Sequence, residues 1–371
     1  MLLIHSPLYA LQVFEEYASQ EEVYEHALQD VPEKLIEGFN CTVMAYGQTG
    51  TGKTHTMMGV NGGSDGLIQL WKRENSLRVQ EMTDSSRSLQ GGPTASISPS
   101  VAQSIAESAV SIDEAVASEE NGEVNPEAEG MILKVVAHVF EKMAQASSST
   151  EFIVRCSYVE IYLEKILDLL HPQGGTSIAL TIEKEADKAA GVGNHVSNVK
   201  IVGASELCCF DVGDVCALLA RGNAWRTRSA TQMNTDSSRS HAIFSMRIEQ
   251  LDRITSQTIT STLQMLDLAG SELAANPGGS ARSNAASSTA VQVEAKMINK
   301  SLNALQKMIR VQLENQRGAM ISFDAAVRQS KLTRLLRPSF GGNCLTTMIL
   351  TASPSSYNIG ETISTIRFGQ R

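Results

Sequence analysis

The sequence predicts an α/β fold in which a mostly parallel central sheet is covered by helices on both faces. Strand-like and helix-like segments alternate along the chain. The strand-like runs are apolar and β-branched, and a glycine-rich loop joins one of them to a helix. A chain of 371 residues with 42% hydrophobic residues can bury a large core. No apolar run is as long as a membrane span, so none is expected.

The predicted elements follow one another in the order that such a sheet requires. The predicted strands cover residues 41–46, 151–162, 243–251, 262–268 and 344–352. The predicted helices begin near Lys53 and further cover 131–143, 165–170, 211–226, 291–314, 330–340 and 358–369. We therefore expect a single domain over residues 1–371.

A long segment at about residues 60–129 interrupts this domain. It is rich in Ser, Glu, Gly and Ala and contains 12 acidic and 4 basic residues. Its low apolar content cannot offset the entropy of ordering so many residues, and we expect a largely disordered insertion. One part of it, residues 98–118, has the capping and spacing pattern of a helix.

Residues 47–54 read G-Q-T-G-T-G-K-T, the pattern of a loop that cradles phosphate. Its glycines let several backbone N–H groups point at one anion, and the following helix adds its positive N-terminal end. Lys53 can then reach the outer phosphates, and the Thr54 hydroxyl can hold Mg²⁺. The alternative is an ordinary glycine turn. The flanking strand and helix favour nucleotide binding.

The stretch LQMLDLAGSE, residues 263–272, contains a candidate sensor of the outer phosphate. Its apolar strand ends at Asp267. A carboxylate at the carboxyl end of a strand lies beside the phosphate loop in such folds and can bind Mg²⁺ through water. Gly270 would let a backbone N–H approach the γ-phosphate. The alternative is a strand that ends in a capping Asp.

The stretch NTDSSRSH, residues 234–241, places hydroxyls, an amide, an arginine and a histidine just before a predicted strand. Ser237 and Ser238 can ligate a metal or position water. Arg239 can pair with a carboxylate such as Glu272. The alternative is a serine-rich turn with no role in chemistry.

Charge and cysteine content limit the environment and the partners. The six cysteines form no C-x-x-C pair and no plausible zinc set, which indicates reduced thiols of an intracellular protein. The net charge is −9, but residues 296–371 contain 11 basic and 3 acidic residues. This basic part could face nucleic acid or an acidic protein surface, or it could be a solvated helical face.

Several longer motifs together resemble the kinesin motor domain. GQTGTGKTHTM, NTDSSRSH, DLAGSE, INKSLNAL, SKLTRLL, FGGN and SPSSYNIGETISTIRFG occur in the order of that family, as does SYVEIYLEKILDLL. The resemblance covers nearly the whole chain apart from the insertions. It implies a P-loop NTPase fold, with ATP and Mg²⁺ as cofactors.

The resemblance also assigns roles to individual residues. It implies that Thr54 and Ser238 ligate Mg²⁺, that Ser237 helps to place the attacking water, and that Arg239 and Glu272 form a latch over the γ-phosphate. The implied nucleotide-binding residues are Gly47, Gln48, Thr49, Gly50, Thr51, Gly52, Lys53, Thr54 and His55, the last packing against adenine. Asn299 matches the start of the helix that carries the nucleotide state to the microtubule face.

Microtubules become the expected partner of the basic C-terminal part, since the tubulin surface is acidic. The matching cations are Lys300, Lys331, Arg334 and Arg337, and the implied location is the cytoplasm and the microtubule cytoskeleton. Nucleic acid is not expected, because aromatic residues make up only 5% of the chain and none is interleaved with these charges.

The sequence also departs from the family pattern. The family's opening strand with its Arg-x-Arg-Pro adenine contact has no match, so either the chain is truncated or another segment replaces this strand. The sequence ends at Arg371, before the position of the family's neck linker. The loop after DLAGSE is longer than usual, which predicts a second insertion at about 273–290, and it lacks the usual cations. Gln306 stands where the family has glycine, and AVRQSKLT replaces PYRDSKLT. These departures put stepping and tubulin affinity in question but leave the hydrolytic centre intact.

We therefore expect an ATP-hydrolysing microtubule motor domain. A degenerate kinesin that acts as a non-motile, nucleotide-gated or passive microtubule-binding module is the alternative. A nucleotide switch unrelated to microtubules should lack SKLTRLL and INKSL.

Overall fold

A mixed sheet of nine described strands forms the centre of the computed structural model, in the order β2-β1-β11-β3-β10-β9-β4-β5, with β8 beside β4. The structure describes residues 2–5, 10–60, 129–172, 181–184, 199–233, 237–272, 285–340 and 342–370. The strands are β1 (Leu2–His5), β2 (Ala10–Val13), β3 (Asn40–Gly47), β4 (Thr150–Tyr162), β5 (Lys165–Asp168), β6 (Thr181–Lys184), β7 (Val199–Val202), β8 (Leu207–Cys209), β9 (His241–Asp252), β10 (Thr258–Asp267) and β11 (Cys344–Thr351).

Helices cover both faces of this sheet. They are α1 (Gln20–Ala27), α2 (Val31–Ile36), α3 (Lys53–Met58), α4 (Met131–Ala144), α5 (Val212–Met233), α6 (Ala285–Gln316), α7 (Phe323–Val327), α8 (Lys331–Leu335) and α9 (Ile359–Gly369). Successive side chains of β3 point to opposite faces of the sheet, and each face has its own hydrophobic core. Val43 and Ala45 pack in the core with α1 to α5, whereas Met44 and Tyr46 pack in the core with α6 to α9.

Parallel pairing is confined to the centre of the sheet, where β3 lies between β10 and β11. The other pairings are antiparallel, including the long β9–β10 and β4–β9 pairs. The prediction of helices on both faces is confirmed. The sheet is mixed, however, and not mostly parallel as predicted. The strands β9 and β10 are joined directly by a short hairpin loop, and such a connection produces an antiparallel pair.

The segment KILDLL was predicted to be helical, and this was wrong. Lys165–Asp168 forms β5, a hairpin partner of β4. The two loop residues Leu163 and Glu164 have φ values of 50° and 60°, which matches the tight turn of a two-residue hairpin. The Glu164 carboxylate accepts a 3.0 Å hydrogen bond from the Lys331 backbone N–H, so the turn also holds the start of α8.

Other predicted elements are confirmed with shifted bounds. The helix predicted over 291–314 begins at Ala285, and the one predicted over 330–340 divides into α8 and a 3₁₀ turn, Arg337–Ser339. Pro338 explains the division because it lacks a backbone N–H. The predicted insertion at 60–129 lies outside the described residues over 61–128, as does 273–284 of the second one.

Leu2–His5 forms β1, which pairs antiparallel with β11, so a segment that the sequence analysis did not predict to be a strand covers this side of the central strands. All six cysteines are free thiols, and Cys208 is the exposed one.

Candidate functional site

The phosphate loop lies between β3 and α3, at the carboxyl end of the parallel strands. Gly50 and Gly52 have φ values of 79° and 100°, which favour glycine. Gly47 has no room for a side chain, because a Cβ there would overlap the carbonyl of Thr351 on β11. The loop backbone can therefore come close to a bound group, as its sequence predicts.

Side chains of the loop fasten it to neighbouring elements. The Thr51 hydroxyl donates to the Gln48 carbonyl at 2.7 Å and lies 2.6 Å from the Thr351 hydroxyl. The Gln48 amide donates to Asn358 Oδ1 at 3.3 Å. The loop is thus anchored to the end of β11 and to the start of α9.

Lys53 is the first residue of α3 and is only 5% exposed. Its ammonium group donates to the carbonyls of Gly47 at 3.0 Å and Gln48 at 2.9 Å. Burial lowers the pKa of Lys53, and the charges of Asp267 and Glu272 partly oppose this effect. A buried ammonium inside the loop is placed to bind an anion.

Asp267, the last residue of β10, faces the phosphate loop. Its Oδ2 accepts a 2.7 Å hydrogen bond from the Thr54 hydroxyl. Its Oδ1 is buried without a hydrogen-bond partner among the described residues. A buried carboxylate oxygen with unused acceptor capacity, beside a hydroxyl, fits a hydrated Mg²⁺ ion.

A buried charged network behind Asp267 was missed by the sequence reasoning. The Arg226 guanidinium on α5 lies 3.1 Å from Asp267 Oδ2 and 3.3 Å from Glu160 Oε1. The Ser240 hydroxyl donates to Glu160 at 2.5 Å. Burial lowers the pKa of Arg226, but its pKa is raised overall by the two carboxylates and by Tyr158. Arg226 therefore stays charged, and its contact with Asp267 Oδ2 holds that carboxylate in place.

The two predicted phosphate-sensing stretches are joined through their backbones. The Gly270 N–H donates to the Ser238 carbonyl at 2.8 Å, and the Ser271 N–H donates to the Gly47 carbonyl at 3.0 Å. Ser238 and Arg239 lie half-buried in a short 3₁₀ turn, whereas the side chain of Ser237 is outside the described set. The structure thus brings the stretch 263–272 against the phosphate loop and joins Ser238 of the other stretch to it.

Glu272 contacts the phosphate loop directly. Its carboxylate accepts a 2.8 Å hydrogen bond from the Thr49 N–H and a second hydrogen bond from the Thr49 hydroxyl. A Cβ at Gly270 would overlap the Thr49 hydroxyl and the Glu272 carboxylate, so a larger residue there would displace this contact. The pairing of Glu272 with Arg239 stays a prediction.

His241, at the start of β9, connects the stretch 263–272 with the helix α6. Its Nδ1 accepts a 3.0 Å hydrogen bond from the Ala269 N–H, and its Nε2 lies 2.7 Å from the Ser301 hydroxyl on α6. Ser301 in turn donates to the Ile298 carbonyl at 2.7 Å. Burial, with the charges of Arg226 and Lys53, lowers the pKa of His241 to about 3. The ring is therefore neutral and donates through Nε2.

His55, on α3, is exposed, as a group that packs against a bound base must be. The buried Gln20 side chain of α1 donates to the His55 carbonyl at 2.7 Å and lies 3.2 Å from its Nδ1. Gln20 therefore orients His55, a role that the sequence reasoning did not identify. Gln20 is the first residue of α1, a helix that the sequence analysis did not predict, and its local sequence gave no signal.

The four predicted microtubule contacts lie on the α6–α8 side of the molecule. Lys300 is exposed and Lys331 is half-buried. Arg334 donates to the Ile182 carbonyl at 2.9 Å, and Arg337 pairs with Asp324 at 3.0 Å. Arg334 and Arg337 thus make contacts within the fold, whereas Lys300 projects to solvent.

Comparison with known proteins identifies the family. The family model described as the kinesin motor domain matches residues 9–96 and 117–371. The chain belongs to the kinesin motor domain family. The predicted resemblance and the P-loop NTPase fold are confirmed.

Individual kinesins are similar over nearly the whole chain. The kinesin-related protein 3 of Dictyostelium discoideum is 33% identical over 97% of this chain and 23% of its own length. The kinesin-1 heavy chain of Rattus norvegicus is 33% identical over 100% of this chain and 29% of its own length. The chain therefore spans less than a third of either relative.

A solved structure shares the fold. The structure of a fast kinesin matches with a TM-score of 0.67 and 30% identity, over 98% of this chain and 79% of that one. Among the described residues, no helix has the length and apolar character needed to cross a membrane.

Proposed function

We propose that this kinesin motor domain hydrolyses ATP and couples its nucleotide state to microtubule binding and microtubule-based movement. One observation carries the proposal: the phosphate loop is hydrogen-bonded both to Asp267, through Thr54, and to the stretch 270–272, through Ser271. The fast kinesin of the solved structure is described by its ATPase mechanism and its interactions with microtubules. These properties of a relative support the same activity here.

The reaction is attack of a water molecule on the γ-phosphate of ATP, in line with the bond to the leaving diphosphate. The Lys53 ammonium would exchange its carbonyl contacts for the outer phosphate oxygens and stabilise the developing charge. The Gly270 N–H, which donates to the Ser238 carbonyl in the structure, would donate to the γ-phosphate instead. Ser237 and Ser238 would place the water, and Arg239 with Glu272 would close the site.

Mg²⁺ would be held by Thr54 and Ser238, with Asp267 binding through water, and would neutralise charge on the phosphates. The contact of Arg226 with Asp267 Oδ2 would orient the carboxylate for this purpose. His55, oriented by Gln20, would pack against the adenine ring.

Coupling to the microtubule would pass through α6. This helix is bonded to the site through Ser301 and His241, and it presents Lys300 to solvent. Lys300, Lys331, Arg334 and Arg337 give this side a positive charge that complements an acidic tubulin surface. We propose the cytoplasm, and within it the microtubule cytoskeleton, as the location.

Microtubule co-sedimentation in a non-hydrolysable ATP analogue and in ADP tests the coupling. We expect tighter binding in one nucleotide state, and a several-fold loss of affinity in Lys300→Glu. The matched control is Lys142→Glu, because Lys142 is an exposed lysine on α4, on the opposite face of the sheet. Equal affinity in both nucleotide states would instead favour a passive binding module, and no sedimentation would contradict the proposal.

A further inference from the structure

A hydrogen bond joins the long helix α6 to the strand that carries the phosphate loop. The half-buried Gln306 side chain on α6 donates to the Tyr46 hydroxyl at 2.9 Å. Tyr46 is 3% exposed and directly precedes Gly47. The glycine that the kinesin pattern has at position 306 could not make this bond, because it has no side chain.

Tyr46 is fixed relative to the nucleotide loop. It lies in β3, where Tyr46 pairs with Leu350 of β11 and its neighbour Ala45 pairs with Asp267 of β10. Its ring packs on Phe368 of α9, with the ring centroids 4.4 Å apart. The backbone of Tyr46 is thus paired within the sheet and its ring is packed, so the bond to Gln306 joins α6 to the strand that carries the phosphate loop.

The backbone next to Tyr46 is the centre of the site. The Gly47 carbonyl accepts hydrogen bonds from both the Lys53 ammonium and the Ser271 N–H. If this peptide moved when a nucleotide bound, the movement would pass to the adjacent residue Tyr46. It would then pass to α6 through the hydrogen bond between Tyr46 and Gln306.

We propose that Gln306 is a positioning residue that ties α6 to the phosphate-loop strand and thereby increases the effect of the nucleotide on microtubule affinity. The inference rests on the proposed function. It adds a second connection to α6, distinct from the one that runs through His241 and Ser301. A neutral hydrogen bond of this kind corresponds to roughly a two- to tenfold change in an equilibrium constant.

A double-mutant cycle tests the proposal, with Gln306→Leu, Tyr46→Phe and the double variant. Leucine keeps the approximate volume of glutamine without the amide, and phenylalanine keeps the ring without the hydroxyl. The measured quantity is the ratio of microtubule dissociation constants in ADP and in the ATP analogue, with the ATPase rate in the absence of microtubules as a second reading. Each single variant should bring the ratio about two- to tenfold closer to one, the double variant should bring it no closer, and the basal rate should stay at the wild-type value.

A conservative variant separates positioning from general damage to the fold. In Gln306→Glu the carboxylate can accept a hydrogen bond from the Tyr46 hydroxyl, so the ratio should return toward the wild-type value. A cycle on the free energy of unfolding, without microtubules, should also show that the two single effects are not additive.

The outcomes distinguish this inference from the proposed function. A wild-type protein with a ratio of one contradicts the proposed function and this inference with it. A wild-type ratio that differs from one and is unchanged in both single variants overturns the inference alone. Single effects that multiply in the double variant also overturn it, because residues that act through one bond must be coupled.

Discussion

The Thr54 hydroxyl donates a 2.7 Å hydrogen bond to Asp267 Oδ2 and so joins the phosphate-loop helix to the end of β10. The other oxygen of Asp267 is buried without a hydrogen-bond partner in the described part of the chain. The Arg226 guanidinium, 3.1 Å from Oδ2, keeps the carboxylate from turning away. Hydroxyl and carboxylate are thus held side by side.

Thr54→Ala should weaken Mg²⁺-dependent nucleotide binding more than binding in excess EDTA. It removes the hydroxyl that would ligate the ion but leaves Lys53 and the backbone donors. We expect the stimulation of binding by Mg²⁺ to fall about tenfold or more. Thr54→Ser keeps the hydroxyl and serves as the control. Calorimetric titration with ADP at several Mg²⁺ concentrations measures this, and equal losses with and without Mg²⁺ would show that Thr54 has only a structural role.

Glu272→Ala should bind ATP but hydrolyse it slowly. The carboxylate now bonds Thr49 in the phosphate loop, and closure of the site would require it to pair with Arg239 instead. An interaction made mainly in the transition state affects turnover more than affinity. Arg239→Ala should behave alike, whereas Thr49→Val removes the present hydroxyl contact and should leave more activity. Single-turnover kinetics provide the measurement. An affinity that falls in proportion to the rate would indicate a structural pair.

His241 should make the protein less stable as the pH falls below about 6.5. Its pKa of about 3 in the folded state lies below the value of 6.5 for an unperturbed histidine. Between these values the unfolded chain binds a proton that the folded one excludes, so stability is present above this range and is lost toward pH 3. The expected slope is up to about 1.4 kcal/mol per pH unit.

His241→Asn is the matched variant, since its side-chain oxygen can accept the Ala269 N–H much as Nδ1 does. Urea unfolding between about pH 5 and pH 7 should give a flatter dependence for this variant. Carboxylates titrate in both proteins, so their contribution cancels in the comparison. Parallel curves for the two proteins would show that His241 is not buried as a neutral ring.

Replacing residues 61–128 by a short linker should leave nucleotide binding intact and strengthen microtubule association. The flanks are adjacent, because Gly130 packs against the end of α3, where a Cβ would lie 2.6 Å from the Met57 carbonyl oxygen. The segment's excess of acidic residues would repel an acidic filament within about a Debye length, roughly 8 Å at physiological salt.

A variant of the same length with its acidic residues changed to glutamine and asparagine separates charge from size. Both variants should bind microtubules more tightly at low salt, and the difference from wild type should shrink as salt is raised. If residues 99–118 instead dock as a regulatory helix, limited proteolysis will leave a protected fragment there, and the charge-neutral variant will bind like wild type.

Local sequence patterns predicted the structure correctly where one short stretch of neighbouring residues determines the backbone geometry. The phosphate loop, the strand that ends at Asp267 and the helix from Lys53 each depend on neighbouring residues, and all were predicted. The helix predicted for KILDLL is wrong because the apolar spacing of this segment suits a helix. The turn before it is tied to the start of α8 by Glu164, and this contact joins residues 167 positions apart, which a local pattern cannot show.

The support around the site could not be predicted for the same physical reason. Arg226 and Gln20 reach the site from α5 and α1, and nothing in their local sequence indicates a buried partner. The role of His241 became visible only when the fold placed Ala269 and Ser301 on opposite sides of its ring.

Steady-state ATPase activity over a range of microtubule concentrations tests the central claim most directly. We expect slow hydrolysis without microtubules and a large, saturable stimulation with them. Lys53→Ala should abolish both, by about a hundredfold or more, because no neighbouring group can replace its charge at the phosphates. Lys134→Ala removes another buried lysine, paired with Glu21 away from the site, and should retain the stimulation. A wild-type rate that microtubules do not change, or a Lys53→Ala rate equal to wild type, would contradict the account.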